Sequence, residues 1–291
     1  MSILDVIQRS ADFLAKKGVA SPRLQVELLL AHALGMPRMK LYLNFERVLT
    51  AGELDTLRAL VQRRGQREPL QYIVGSASFC GLEMALNPKV LIPRPETELL
   101  AERGWKFLQN CAGTPTALDL GTGSGCLAIA LARNAPASQI HATDFSGEAL
   151  EVARQNAERH EVAGRIRWHR GDVFAAVPAE LRFDLIVSNP PYIPSARIDT
   201  LEPEVREHEP RSALDGGADG LDFYRRMAAE GRPFLRPGGR LMVELDDDGA
   251  EAAREIFQRE NWSVEAVETD DNRTPRILIA HLPSQAQDGR G

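Results

Sequence analysis

The run Phe183–Val187 is followed by Ser188 and then by Asn189, Pro190, Pro191 and Tyr192. The run reads as a buried strand, and the prolines stop it, because each fixes φ and removes a backbone donor. An amide, two rigid residues and a ring at a strand's end suit the capture of a planar nitrogen that carries hydrogens. Such a nitrogen is a poor nucleophile, since its lone pair is delocalised into the plane, and it must be held for attack. The side-chain oxygen of Asn189 and the carbonyl of Pro190 can each accept one N–H of an NH₂ group. Pro190 and Pro191 fix that carbonyl, and Tyr192 offers a flat wall to the substrate plane. Positioning supplies much of the acceleration, and hydrogen bonding to the NH₂ stabilises the charge that develops before a proton leaves. Taken alone, N-P-P-Y is also an ordinary turn.

A second group of residues stands upstream in "LDLGTGSG", 118–125. Gly121, Gly123 and Gly125 permit a tight turn and close approach of backbone to a ligand. Thr122 and Ser124 lie between them, and the following helix would direct its free N–H groups to the same place. Asp144 closes the next expected strand 19 residues after Gly125, where a carboxylate can accept hydrogen bonds from a ribose diol. The pattern favours a nucleoside cofactor over a structural turn. NAD is one candidate, but its fingerprint is G-x-G-x-x-G and this loop is G-x-G-x-G; S-adenosylmethionine, which has no pyrophosphate to cradle, is the other. Asp172, beside Val173 and Phe174 at the end of a third strand, would suit an adenine's amine and face, although simple hydrophobic lining competes for Val173 and Phe174.

These residues need a scaffold, and the chain's periodicity supplies one. From about residue 95 helical and strand-like segments alternate: "ETELLAERGWKFLQ", "TALDL", Cys126–Arg133, "QIHAT", "GEALEVARQNAERH", "RIRWHR", "FDLIVS", "GLDFYRRMAAEGRPFL", "RLMVEL", "GAEAAREIFQRE", "WSVEAVE" and "RILIAHL". Such alternation predicts a doubly wound α/β domain with ligands at the carboxyl ends of its strands. The first ~65 residues read instead as a small helical bundle. Ile3, Val6, Ile7, Phe13 and Leu14 fall at helical spacing, Pro22 and Gly35 bracket a second helix, and "TAGE" at 50–53 is a capping box. Between the two, Leu70–Ile92 has strand-like composition broken by Gly75, Gly81 and Pro88, which predicts a hairpin linker. The expected organisation is a helical domain over 1–69, a linker over 70–92, an α/β domain over 93–283 and a polar tail over 284–291.

Composition excludes several functions. The 291 residues are 43% hydrophobic and 26% charged, with no stretch near the ~18 apolar residues of a membrane span. The opening segment has acids within its apolar pattern, unlike a signal peptide, so a cytoplasmic protein is expected. Cys80, Cys111 and Cys126 are far apart and the six histidines are scattered, so no metal site is expected. Residues 1–85 hold 11 Lys and Arg against 8 Asp and Glu, a net of +3, leaving 24 against 33, or −9, for residues 86–291. An acidic larger part argues against stable nucleic-acid binding, which needs clustered cations. The basic cluster Arg58, Arg63, Arg64 and Arg67 is expected to be a solvated helix face.

N-P-P-Y after a strand and downstream of a G-x-G-x-G loop resembles the signature of methyltransferases that act on planar, amine-bearing nitrogens. Together with "LIPRPETE" at 91–98 and "EPRSALDGGADGLDFYRR" at 209–226, it is similar to the PrmC/HemK family, the protein-(glutamine) methyltransferases of peptide chain release factors. The resemblance covers most of the chain. It implies a Rossmann-like class I methyltransferase domain that uses S-adenosyl-L-methionine, behind an N-terminal helical domain, and a target in the glutamine of the release factor's Gly-Gly-Gln loop. Carried over by position, the cofactor contacts would be Gly121 to Gly125, Asp144, Asp172 or Val173, and Asn189. The glutamine would meet Asn189, Pro190, Pro191 and Tyr192. Arg94, Glu96 and Thr97 are expected near the cofactor mouth or the interdomain seam, although Pro95, Glu96 and Glu98 also suit a helix start. "VELDDDGAE" at 243–251 departs from the family, which usually has a glycine and a glutamine there. Two other readings stand: an adenine methyltransferase on DNA or RNA, and a non-catalytic nucleotide-binding module, which leaves Asn189–Tyr192 without a purpose.

Overall fold

The structure, a computed structural model, describes residues 1–283; the expected polar tail lies outside the described residues. Two of its N-terminal helices begin where side chains satisfy free N–H groups. In α1 (Ile3–Lys16) Ser2 and Asp5 form a capping box, and in α4 (Ala51–Gly65) Thr50 and Glu53 form the expected one. With α2 (Pro22–Ala33), α3 (Arg38–Tyr42) and α5 (Leu70–Val74), these helices enclose a core that includes Ile3, Ile7, Leu14, Leu29, Leu30, Leu41 and Leu57.

Leu70–Val74 corrects the hairpin reading of 70–92. Pro69 sets the backbone at the helix N-cap, and Gly75 ends the helix in the left-handed region at φ 79°, so punctuation overrides the segment's β-rich composition. The hairpin itself is shorter, formed by β1 (Ser76–Phe79) and β2 (Leu82–Ala85).

The basic cluster is a second correction. Arg58 pairs with Asp55 and Arg63 with Glu68, while Arg64 and Arg67 both reach Glu204 at 2.7 Å. The Arg64 side chain is only 6% exposed, so part of the "solvated face" is a partly buried ion pair. Its carboxylate partner lies in α9 (Pro203–Arg206). Accordingly the chain divides into one compact unit of Met1–Ser76 with Leu201–His208, and another of Ala77–Thr200 with Glu209 onward.

In the second unit the α/β alternation is realised as a seven-stranded sheet in the order β5-β4-β3-β6-β7-β9-β8. Its strands are β3 (Thr116–Leu120), β4 (Gln139–Asp144), β5 (Ile166–Arg170), β6 (Phe183–Ser188), β7 (Leu235–Glu244), β8 (Ser263–Thr269) and β9 (Pro275–His281). The first five are parallel, and β9 and β8 complete the sheet antiparallel. The helices are α6 (Pro95–Gln109), α7 (Cys126–Asn134), α8 (Gly147–Arg159), α10 (Asp222–Glu230) and α11 (Ala250–Arg259). Covered on both faces, the inner strands are apolar nearly throughout: Ala117, Leu118, Leu185, Ile186 and Val187 are all fully buried.

The hairpin is fastened to this unit. Asn156 of α8, fully buried, accepts from Ala85 N at 2.7 Å and donates to the carbonyls of Ala85 and Ser124. One side chain thus ties the hairpin to the glycine-rich loop.

Candidate active site

Chain direction turns at β3. From there the chain runs outward through β4 and β5, then returns to place β6 on the other side of β3, which creates a switch point where two loops diverge. Register decides what meets there. Leu120 pairs with Thr143 on one side and with Ser188 on the other, so Gly121, Asp144 and Asn189 leave three neighbouring strands at one level. Ser188 Oγ donates to Leu120 O at 2.8 Å within the buried sheet.

The strand ends floor a cleft of about 1020 Å³, counted out to its open mouth, lined by Gly121, Gly123, Asp144, Val173, Asn189 and Pro190 among others. Asp144 is mostly buried. It accepts from Gly123 N and Ser146 N, both at 2.8 Å, yet burial outweighs these bonds and holds its carboxyl above the usual value. A ligand's hydroxyl donors would relieve that cost. At Gly121 (φ +72°) and Gly123 (φ +55°) an added Cβ would meet nothing within 4 Å, leaving bare backbone toward open space. Phe145, 72% exposed, and Val173 and Met227 add apolar surface at the cleft. A recessed carboxylate, a bare glycine turn and an apolar flank fit a nucleoside-bearing cofactor.

Not every expected contact faces this cleft. Thr122 is buried and donates to Asp119 Oδ2 at 2.6 Å, and Ser124 is likewise buried. Gly125 (φ +82°) begins α7 and packs on α8, where its Cβ would lie 3.0 Å from that of Ala153. Its glycine serves helix packing. Asp172 lines the cleft, but Arg226 binds both of its oxygens at 2.8 and 2.9 Å. Phe174 is buried against Phe234, with ring centroids 5.0 Å apart; it is core, while Val173 at φ +47° lines the cleft.

On the other side, Asn189, Pro190 and Pro191 line the cleft, and Tyr192 stands behind them with its hydroxyl 3.4 Å from Glu244 Oε1. Asn189 Nδ2 donates to Thr97 Oγ1 at 3.0 Å. With the amide nitrogen engaged, Oδ1 is left as the acceptor.

The backbone of this loop is fixed by the glycine-rich stretch 214–220. Ile193 N donates to Leu214 O and Gly216 N to Ile193 O, both at 2.9 Å. A Cβ on Gly216 would lie 2.9 Å from Pro191 O, and one on Gly220 would lie 2.3 Å from Tyr192 O. Only glycine allows that approach. Arg94 donates to both oxygens of the buried Glu209 at 2.8 and 2.9 Å, joining the "PRPETE" and "EPRSAL" segments at the cleft's rim.

No helix among the described residues is long and apolar enough to cross a membrane, and none of their His, Cys, Asp and Glu side chains cluster as a metal site. Burial pushes the Cys80 and Cys126 thiols up to about 12, so neither is a ready nucleophile.

Sheet order, glycine turn and N-P-P-Y loop define a Rossmann-like methyltransferase. Residues 98–201 match the model of the methyltransferase small domain, and residues 5–75 match that of the PrmC N-terminal domain. A methyltransferase from Pyrococcus furiosus shares the fold with a TM-score of 0.51 and 22% identity, over 75% of this chain and 97% of that one. A release factor glutamine methyltransferase from Geobacter sulfurreducens is 45% identical over 277 residues, 95% of each chain. One from Chlorobaculum tepidum is 43% identical over 284 residues, 95% of this chain and 96% of its own. The chain belongs to the release factor glutamine methyltransferase family.

Sequence reasoning assigned Thr97 only a region, and it overlooked Glu244 and the ion pair of Arg94 with Glu209. Glycines 216, 217 and 220 were the available signal for a loop pressed against another backbone.

Proposed function

We propose that the protein methylates the side-chain amide nitrogen of the glutamine in the Gly-Gly-Gln loop of peptide chain release factors, in the cytoplasm, with S-adenosyl-L-methionine as donor. The observation that carries this reading is the alignment of Leu120, Thr143 and Ser188, which brings the glycine turn and Asn189 to one cleft. Gly121, Gly123 and the carboxylate of Asp144 would hold the cofactor, with Phe145 and Val173 against its base. When bound, the cofactor supplies an electrophilic methyl group.

Asn189 Oδ1 and the Pro190 carbonyl accept the two hydrogens of the glutamine amide and turn its nitrogen toward the cofactor side of the cleft. The prolines keep the carbonyl rigid, and the two acceptors stabilise the charge that builds on nitrogen. A proton then leaves from a nitrogen already hydrogen-bonded, so no strong base is required. The helical unit docks the protein partner; Met39, Leu43 and Val48 on it are 67%, 84% and 68% exposed, apolar surface that a partner could cover.

The test is incubation with radiolabelled S-adenosylmethionine and, in separate tubes, a release factor, its loop Gln→Ala variant, DNA and RNA. Label is expected in the intact factor alone. Label in a nucleic acid would support the adenine reading, and label nowhere would leave a binding module.

A further inference from the structure

The clamp reading requires Asn189 to present its oxygen, and an amide side chain can turn either way. Something must set its polarity. Thr97 stands in the first turn of α6 and is 2% exposed. Its hydroxyl accepts from Asn189 Nδ2 at 3.0 Å. A hydroxyl carries one proton to place, and the buried carboxylate of Glu244 lies near enough for Thr97 to lower its proton affinity.

Glu244 arrives there by register. Ser188 pairs with Val243, so the next residues, Asn189 and Glu244, emerge side by side from β6 and β7. The Glu244 side chain is almost wholly buried, and its Oε2 has no formed hydrogen bond. An unpartnered carboxylate oxygen is costly to bury and calls for a role. Nothing in the helix start explains it, because α6 is begun by Arg94 and Pro95.

We infer that Thr97 and Glu244 are positioning residues that fix which end of the Asn189 amide meets the substrate. The inference rests on the clamp reading above and deepens it. An ionised Glu244 can only accept, so the Thr97 proton points to it and the Thr97 lone pair takes the amide hydrogens of Asn189. Oδ1 is then committed to the cleft. A protonated Glu244 can donate to Thr97; the Thr97 proton then turns toward Asn189, the amide reverses, and two N–H groups face a substrate that also offers N–H groups. Capture fails. Burial raises the Glu244 carboxyl to about 7, with Glu96 adding to the rise and Thr97, Tyr192 and Arg276 opposing it. The Tyr224 hydroxyl donates to the Glu244 backbone carbonyl at 2.9 Å, and Asp246 adds negative charge beside Tyr192 and Tyr224. Turnover should therefore fall on the acid side of pH 7.

The experiment compares full-length Thr97→Val, Thr97→Ser, Glu244→Gln and Asn189→Ala on an intact release factor, with folding checked by circular dichroism and donor affinity by calorimetry. Thr97→Val is expected to lower kcat by about 10²-fold, as for a misplaced reacting group, with KM and donor affinity within a few-fold of wild type. Thr97→Ser should restore most of the loss, and Glu244→Gln should flatten the acid limb of the pH–kcat profile. A folded Thr97→Val with wild-type kcat, or Thr97→Ser as slow as Thr97→Val, would overturn the positioning role. If Thr97→Val does not fold, an acid limb unchanged in Glu244→Gln overturns it and a flattened one supports it. A slow Asn189→Ala beside a fast Thr97→Val shows that the clamp stands and the relay is wrong. A fast Asn189→Ala, or wild type inactive on the factor, shows that the clamp reading itself has failed, and the relay with it.

Discussion

Asn189 and Asp144 sit on neighbouring loops but should fail in different ways when altered. Asn189 spends its nitrogen on Thr97, leaving its oxygen as the acceptor that the proposed clamp requires, so Asn189→Ala should lower kcat by ~10²–10³, as for one lost transition-state hydrogen-bonding group, with little effect on donor affinity. Steady-state kinetics beside calorimetry would separate the two. Asp144→Ala should instead weaken donor binding by ~1.5–3 kcal/mol, as for lost charged hydrogen bonds. The pH dependence has a definite sign. Burial holds the Asp144 carboxyl above its ordinary value, and only the ionised form accepts two hydroxyl donors. Donor affinity should therefore decline as pH falls through that raised value, and calorimetry across the range checks it. Both residues were legible in the sequence because each stands at the end of a strand with a distinctive neighbour. Asp172 shared that address, but its engagement with Arg226, 54 residues downstream, leaves no trace in local sequence.

At the scale of elements, the three glycines of "GTGSG" divide their work. Gly121 and Gly123 border open space, whereas Gly125 packs on Ala153 of α8. Gly125→Ala should destabilise the fold by about 1–3 kcal/mol, the usual range for a side chain held at positive φ and here joined by crowding; denaturant unfolding measures it. Alternating periodicity made the sheet and its helices readable, since each strand and helix carries its own pattern. The contact of Thr97 with Asn189 and the placement of Glu244 beside that strand end were not readable, because they depend on the β6–β7 register and on where α6 begins, both set by tertiary packing. Composition misled at Leu70–Val74, where β-branched and aromatic residues form a helix between Pro69 and Gly75. It misled again at Arg64, whose carboxylate partner is 140 residues away in Glu204.

Across the whole molecule, that ion pair makes eight residues of the C-terminal half part of the N-terminal unit. Although partial burial opposes it, Arg67 and Arg64 draw the Glu204 carboxyl down to about 2. A depressed carboxyl contributes stability that is present above its ordinary value and lost as pH falls through about 2. Glu204→Gln should destabilise this unit at neutral pH by about 2 kcal/mol, less than the roughly 3–5 of a fully buried pair because solvent still reaches it; thermal unfolding reads the change. A chain shortened to begin at Ala77 keeps the hairpin that Asn156 holds. If it stays folded by circular dichroism, it should bind donor with near-normal affinity and lose most of its kcat/KM on an intact release factor, because a stable complex needs roughly 1,200–2,000 Å² of contact and a glutamine loop alone offers little. The most direct measurement of all is mass spectrometry of a release factor after reaction with S-adenosylmethionine and the full-length protein. One methyl group on the side-chain nitrogen of the Gly-Gly-Gln glutamine, absent with Asn189→Ala, is the expected result. A factor left unmodified by the wild-type protein, or one methylated elsewhere and equally by the Asn189 variant, would contradict an amide clamp at the switch point.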